Sequence, residues 1–207
     1  MEIKKQNNFE GLIDNVYKTH HLLQQNAQKA VNLNLTIRNW LIGCYIVEFE
    51  QNGEDRAKYG TRLLEEIAKN VKVKGIKGLS LRTLRDCRSF YITYPQIRQS
   101  LPAEFKNSLY IPIRESMTSE LLKEYQLPTN VLLSQLSFTH FVELLRKDDS
   151  LERLFYEVEA IKNNWSVREL KRASGIDNQL FVSKYLVNLP EKKVLEEFIQ
   201  RELDYKN

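Results

Sequence analysis

Seven side chains between residues 72 and 89 have the chemistry to hold a polyanion: Lys72, Lys74, Lys77, Ser80, Arg82, Arg85 and Ser89. Lysine offers a phosphate a point charge, arginine a planar fork of donors, and serine a hydroxyl that bonds phosphate oxygen. From Lys69 to Arg88 the chain carries seven basic residues and one acid, Asp86. That window is net +6 while the whole chain is only +4, so everything outside it is slightly acidic. The argument for a nucleic-acid partner therefore rests on where the charge is gathered, not on its amount. A solvated cationic face on an ordinary amphipathic helix has the same pattern, and the charge alone leaves both readings open.

Other chemistry finds little support. A nuclease-type metal site needs an acidic residue followed by E-x-K or D-x-K on a neighbouring strand, to fix a divalent ion and orient water. Glu157, Glu159 and Lys162 come nearest, but at the wrong intervals and in a helical pattern. Lys74-Gly-Ile-Lys-Gly78 lacks the spacing and the Ser/Thr of a phosphate-cradling loop. His20 and His21 have no ligand partners at metal-binding spacing, and His140 has no nucleophile beside it. Cys44 and Cys87 fall within apolar stripes, as buried free thiols would. The expectation is a chain without catalysis of its own, with no metal and no cofactor.

The elements that position the cationic residues are legible. Ser80 is a good N-cap, and Leu81, Leu84, Cys87 and Tyr91 recur at three- and four-residue steps behind it. At 100° per residue Arg82, Arg85 and Ser89 share the opposite face, while Arg88 lies on the flank beside Leu81 and Leu84. Tyr94-Pro95 ends that helix. A helix from about Thr61 to Val71 precedes it, and the two form a candidate helix-turn-helix with a connection longer than the tightest such turns. Upstream, an apolar stripe through Phe9, Leu12, Val16, Leu23, Ala30 and Ile37 predicts one long helix, or two in line, over 8–51, closed by a left-handed Gly53. So long a periodic segment suggests packing beyond its own domain, onto a second copy.

Downstream, residues 96–125 read as a linker with a short helix around 119–125. Helices then follow at 131–136, 138–146, from 151, and after the Ser166/Glu169 capping box. Residues 179–187 alternate like a strand, and 191–205 read as a helix with an apolar stripe. The fold class is mainly α, with helix-turn-helix or winged-helix-like modules and a short β segment near the C-terminus. The implied division is 1–127, 128–175 and 176–207. No stretch is long enough to cross a bilayer, and the start lacks the apolar core of a signal peptide, which predicts a cytoplasmic chain with no membrane partner.

The pattern formed by Gly78, Ser80, Arg82, Leu84, Arg88, Phe90 and Tyr91 resembles the N-terminal domain of the YhcG family, bacterial nucleases with a winged-helix-like front end. Thr83 and Cys87 depart from the usual asparagine and methionine without changing the character of the helix. The stretches 136–146 and 155–172 resemble the same family, and 175–193 resembles the extreme C-terminal end of its long members, in which the nuclease domain separates the two pieces. Here Arg172-Ala-Ser-Gly175 joins them directly. The resemblance implies a setting near restriction–modification or nuclease systems. With the cationic helix, the expected role is DNA-binding or accessory, with DNA or nuclease subunits as partners. The long helix and the unpaired strand add a second copy. A protein-interaction subunit, or a nuclease fragment without its core, would fit the same residues.

Overall fold

The structure is a computed structural model, and it describes residues 8–53, 59–101 and 127–175. The chain is mainly α, and no strand occurs among the described residues. The sequence-predicted strand at 179–187 and the helices at 119–125 and 191–205 lie outside them.

Helix α1 (Phe9–Asn52) begins at Asn8, whose side chain accepts from the Gly11 N–H at 2.9 Å. The predicted left-handed cap at Gly53 is not observed: Gly53 has φ −61° and ψ 130°. Glycine is required there for room instead, since a Cβ would lie 2.7 Å from the Phe49 carbonyl oxygen. After a single 3-10 turn (Gly60–Arg62), α2 (Leu63–Val73) ends in a paired cap in which Ile76 N–H reaches the Val71 carbonyl and Gly75 N–H that of Lys72. Gly75, at φ +81°, supplies the left-handed residue this cap demands. Helix α3 (Leu81–Thr93) starts at Ser80, as its sequence predicts, and the Ser80 hydroxyl accepts from Thr83 N–H at 3.2 Å.

Pro95 does not open a linker. It starts a 3-10 segment (Pro95–Ser100) that buries Ile97 and leads to buried Leu101. Four short helices complete the described chain: α4 (Thr129–Gln135), α5 (Phe138–Leu144), α6 (Ser150–Lys162) and α7 (Val167–Gly175). The last three start at side-chain caps, notably Asp149 accepting from Glu152 N–H at 2.7 Å and Ser166 and Glu169 bonding each other's backbone N–H.

One apolar core draws on the second half of α1, on α3, on the 3-10 segment and on α4 to α7. Trp40, Phe90, Ile97, Phe141 and Leu170 are fully enclosed. Trp40 Nε1–H donates to the Tyr94 carbonyl at 2.9 Å, and the Tyr94 hydroxyl donates to Glu157 at 2.7 Å, so α1, the end of α3 and α6 are pinned together through polar groups. Helices α1 and α3 meet at Gly43, where a Cβ would overlap the Cys87 carbonyl oxygen. This contact sets how α3 lies on α1, and hence which of its faces is left to solvent.

Candidate nucleic-acid interface

The face of α3 opposite α1 is formed by Arg82, Arg85, Ser89 and Ile92, all exposed, at helical steps of three, four and three. Leu84, Cys87 and Phe90 are buried on the other side, with Leu81 and Tyr91 half-buried at its edges. The arginine face is outward because Leu84 and Cys87 are apolar and α3 lies against α1 at Gly43, beside Cys87.

The lysines belong to a second feature, continuous in sequence with the first. Lys69, Lys72 and Lys77 line an open groove with Ala68, Gly75, Ile76, Gly78, Leu79, Ser80 and Thr83, between the end of α2 and the start of α3. Lys72, Lys74 and Lys77 are exposed, and the turn that holds them is set by the left-handed Gly75 and by Gly78 at φ +83°. Of the seven sequence-predicted residues, Lys72, Lys77 and Ser80 share this groove. Arg82, Arg85 and Ser89 share the outer face of α3, while Lys74 lies in the turn outside the groove lining. Ser80 is already engaged, accepting from Thr83 N–H and sharing a hydroxyl–hydroxyl bond of 3.0 Å with Thr83.

Arg88 stands apart. Its Nε donates to both carboxylate oxygens of Glu50 on α1, at 2.8 and 3.0 Å. Two basic residues near the surface were not among the predicted contacts. Lys69 lines the groove, and its place in the basic window was the available signal. Arg146, after α5, lies close enough to act electrostatically on Asp86 of α3, and nothing in the sequence connects those two positions. Burial raises the Asp86 carboxyl, with Arg82 and Arg146 opposing the shift.

The remaining reactive groups are structural. Burial pushes the Cys87 thiol up to about 12, so it is no thiolate at neutral pH, and Cys44 is raised for the same reason. His140 closes a capping box: its Nδ1 accepts from the Ser137 N–H at 3.1 Å. That fixes the proton on Nε2, which lies 3.0 Å from the Trp165 carbonyl. Among the described residues no cluster of His, Cys, Asp or Glu is able to hold a metal ion, and no helix is long and apolar enough to cross a membrane.

Fold and surface define a mainly α protein that, among the described residues, gathers its positive charge on a helix face and the turn leading into it. Residues 15–183 match the family described as the DUF1016 N-terminal domain, and the chain belongs to that family. It is 35% identical over 150 residues to the Escherichia coli (strain K12) protein named "Putative nuclease YhcG", an alignment covering 70% of this chain and 38% of the relative. The chain thus aligns with well under half the length of that curated relative. No solved structure matches it.

Proposed function

We propose that this chain is a non-catalytic DNA-binding or accessory module, in which α2, the lysine-bearing turn and α3 act as a helix-turn-helix. The observation that carries the reading is the outer stripe of α3. Arg82, Arg85 and Ser89 are exposed on one face, free of any part in the core, with the Lys72–Lys77 turn immediately before them. A helix entered from a cationic turn is the arrangement with which such modules meet a phosphate backbone. An association with a nuclease is supported only by the similarity to the Escherichia coli relative named a putative nuclease, and a restriction–modification setting rests on the family resemblance alone.

Apolar residues on the same surface support a second reading. Val73 at the end of α2 and Ile76 in the turn are 81% and 46% exposed, and Ile92 is 49% exposed at the end of the arginine stripe. Such a mixed surface also suits an acidic protein partner, with the chain serving as an interaction subunit. Fluorescence anisotropy on a labelled duplex across a salt series separates the two. With roughly four phosphate contacts, log K falls against log salt with a slope of about −3.6. Replacing Arg82 and Arg85 together with glutamate abolishes most of the affinity while the fold melts as before. Unchanged affinity in that double variant overturns DNA binding in favour of the protein partner.

A further inference from the structure

Every residue of α1 from Leu12 to Leu35 is exposed, and burial begins abruptly at Thr36. This outer half of the helix, from Phe9, runs for roughly 40 Å at the ordinary helical rise. It is not a polar spacer. Ten large apolar side chains on it are between 37% and 76% exposed, among them Phe9, Leu12, Val16 and Leu23. Only four residues from 9 to 35 carry a carboxylate, lysine or arginine: Glu10, Asp14, Lys18 and Lys29. Together these apolar groups expose on the order of 1,000 Å², beyond what a monomer ordinarily leaves open, and those on or beside the apolar seam of the helix supply the greater part of the ~800 Å² a side of a stable interface.

The exposed stripe and the buried one are the same stripe. The seven-residue register that aligns Phe9, Val16, Leu23 and Ala30 continues through Ile37 and Cys44. The companion line through Leu12 and Leu33 continues through Trp40 and Val47. From residue 36 onward these positions are buried, and α1 packs chiefly against α3 of its own chain. Before residue 36 the seam has no occupant among the described residues.

We infer that a second copy of this chain occupies it, with the two α1 helices antiparallel over residues 9–33. The inner half of the helix dictates the orientation. In a parallel pair the partner helix would continue past residue 36 along a seam that α3 already fills. An antiparallel partner, centred on His21, instead ends at its Phe9 beside Leu33, just before the chain's own core takes over. The resulting layers set Phe9 against Leu33, Leu12 against Ala30, Val16 against Asn26 and Thr19 against Leu23, a large residue facing a smaller or polar one in most of them. Leu22, 59% exposed and off the main seam, then meets its own copy at the two-fold axis.

The test uses the full chain, by light scattering and sedimentation over a range of concentrations. The unaltered chain has twice the mass of one copy. Leu12→Asp with Leu23→Asp gives the mass of one copy, while the melting of the core, followed by tryptophan fluorescence, is retained. Gln25→Asp with Gln28→Asp, on the opposite side of the same helix, leaves the dimer intact. For the orientation, chains carrying Leu12→Cys and chains carrying Ala30→Cys are mixed and oxidised. A mixed disulfide outweighing either symmetric one is the expected result. A monomer at all concentrations, a dimer that survives the aspartates, or efficient Leu12→Cys cross-linking to itself overturns the proposal.

Discussion

Arg82, Arg85 and Arg88 lie within seven residues of one helix and have different surroundings. The first two are exposed with no packed role, whereas Arg88 is held by Glu50 through two contacts to its Nε. That difference was legible in the sequence from angle alone, because residue 88 sits on the flank of the apolar stripe and 82 and 85 do not. Which carboxylate would meet Arg88 was not legible, since Glu50 is 38 positions away on another helix. Arg88 and Glu50 side chains are 40% and 29% exposed, so solvent screens the pair and its loss costs about 1 kcal/mol or less. Arg88→Ala is therefore expected to lower Tm by a few degrees and to leave DNA affinity near that of the unaltered chain. Arg85→Ala should do the reverse. The pair of variants is compared by thermal melts and anisotropy, and an Arg88→Ala variant that loses affinity at unchanged Tm would contradict this assignment.

At the scale of elements, the helices with strong local signals stand where their sequences put them. Ser80, Asp149 and Ser166 cap α3, α6 and α7 because their side chains satisfy N–H groups that the first turn leaves unpaired, a requirement local enough to be read three residues ahead. What escaped reading depends on distant partners. The 3-10 segment after Pro95 has too few residues for a period, and it forms because Ile97 and Leu101 are drawn into a core supplied by other helices. Gly53 was legible as a helix end but not as a close approach to Phe49. Gly43 is the sharpest case. In the sequence it is an unfavourable residue inside a helix, and in the fold it is the point at which α3 touches α1, backbone against Cβ-less backbone. Gly43→Ala is expected to destabilise the chain by ~3 kcal/mol or prevent folding, because the obstruction is a main-chain carbonyl that has no rotamer to change. Gly75→Ala meets no neighbour and costs only the strain of its left-handed backbone, about 1 kcal/mol. Urea unfolding of the two variants ranks them, and equal midpoints would remove Gly43 from its role as the contact point.

For the whole molecule, the organising group is one no local pattern exposes. Glu157 lies on the apolar side of α6, fully buried, and accepts a hydrogen bond from the hydroxyl of Tyr94, whose carbonyl in turn receives Trp40. The sequence offers it only as one of several carboxylates in a helix, because its partners lie 63 and more than 100 positions upstream. Burial raises its carboxyl from 4.5 to about 7, with the Tyr94 hydrogen bond and the charge of Arg153 opposing that shift. A group raised on folding binds its proton more tightly in the native state, so its favourable contribution is complete below pH 4.5 and is lost as pH rises through 7. His140 acts in the opposite direction. Its burial lowers the imidazole, so the neutral ring of the α5 capping box favours the fold, and that contribution falls as the pH drops below 6.5. The stability of the unaltered chain between pH 4.5 and 7 is thus a sum of opposing slopes, and a single pH curve will not separate them. Glu157→Gln does separate them, since glutamine keeps an oxygen for the Tyr94 hydroxyl, does not ionise, and leaves His140 untouched. The variant's stability relative to the unaltered chain should rise by a few kcal/mol between pH 4.5 and 7 and level off above. Urea unfolding at matched pH values measures that difference directly. Two curves that stay parallel across the interval would mean that Glu157 is already ionised in the folded core, and that Tyr94 and Arg153 together outweigh the cost of burying it.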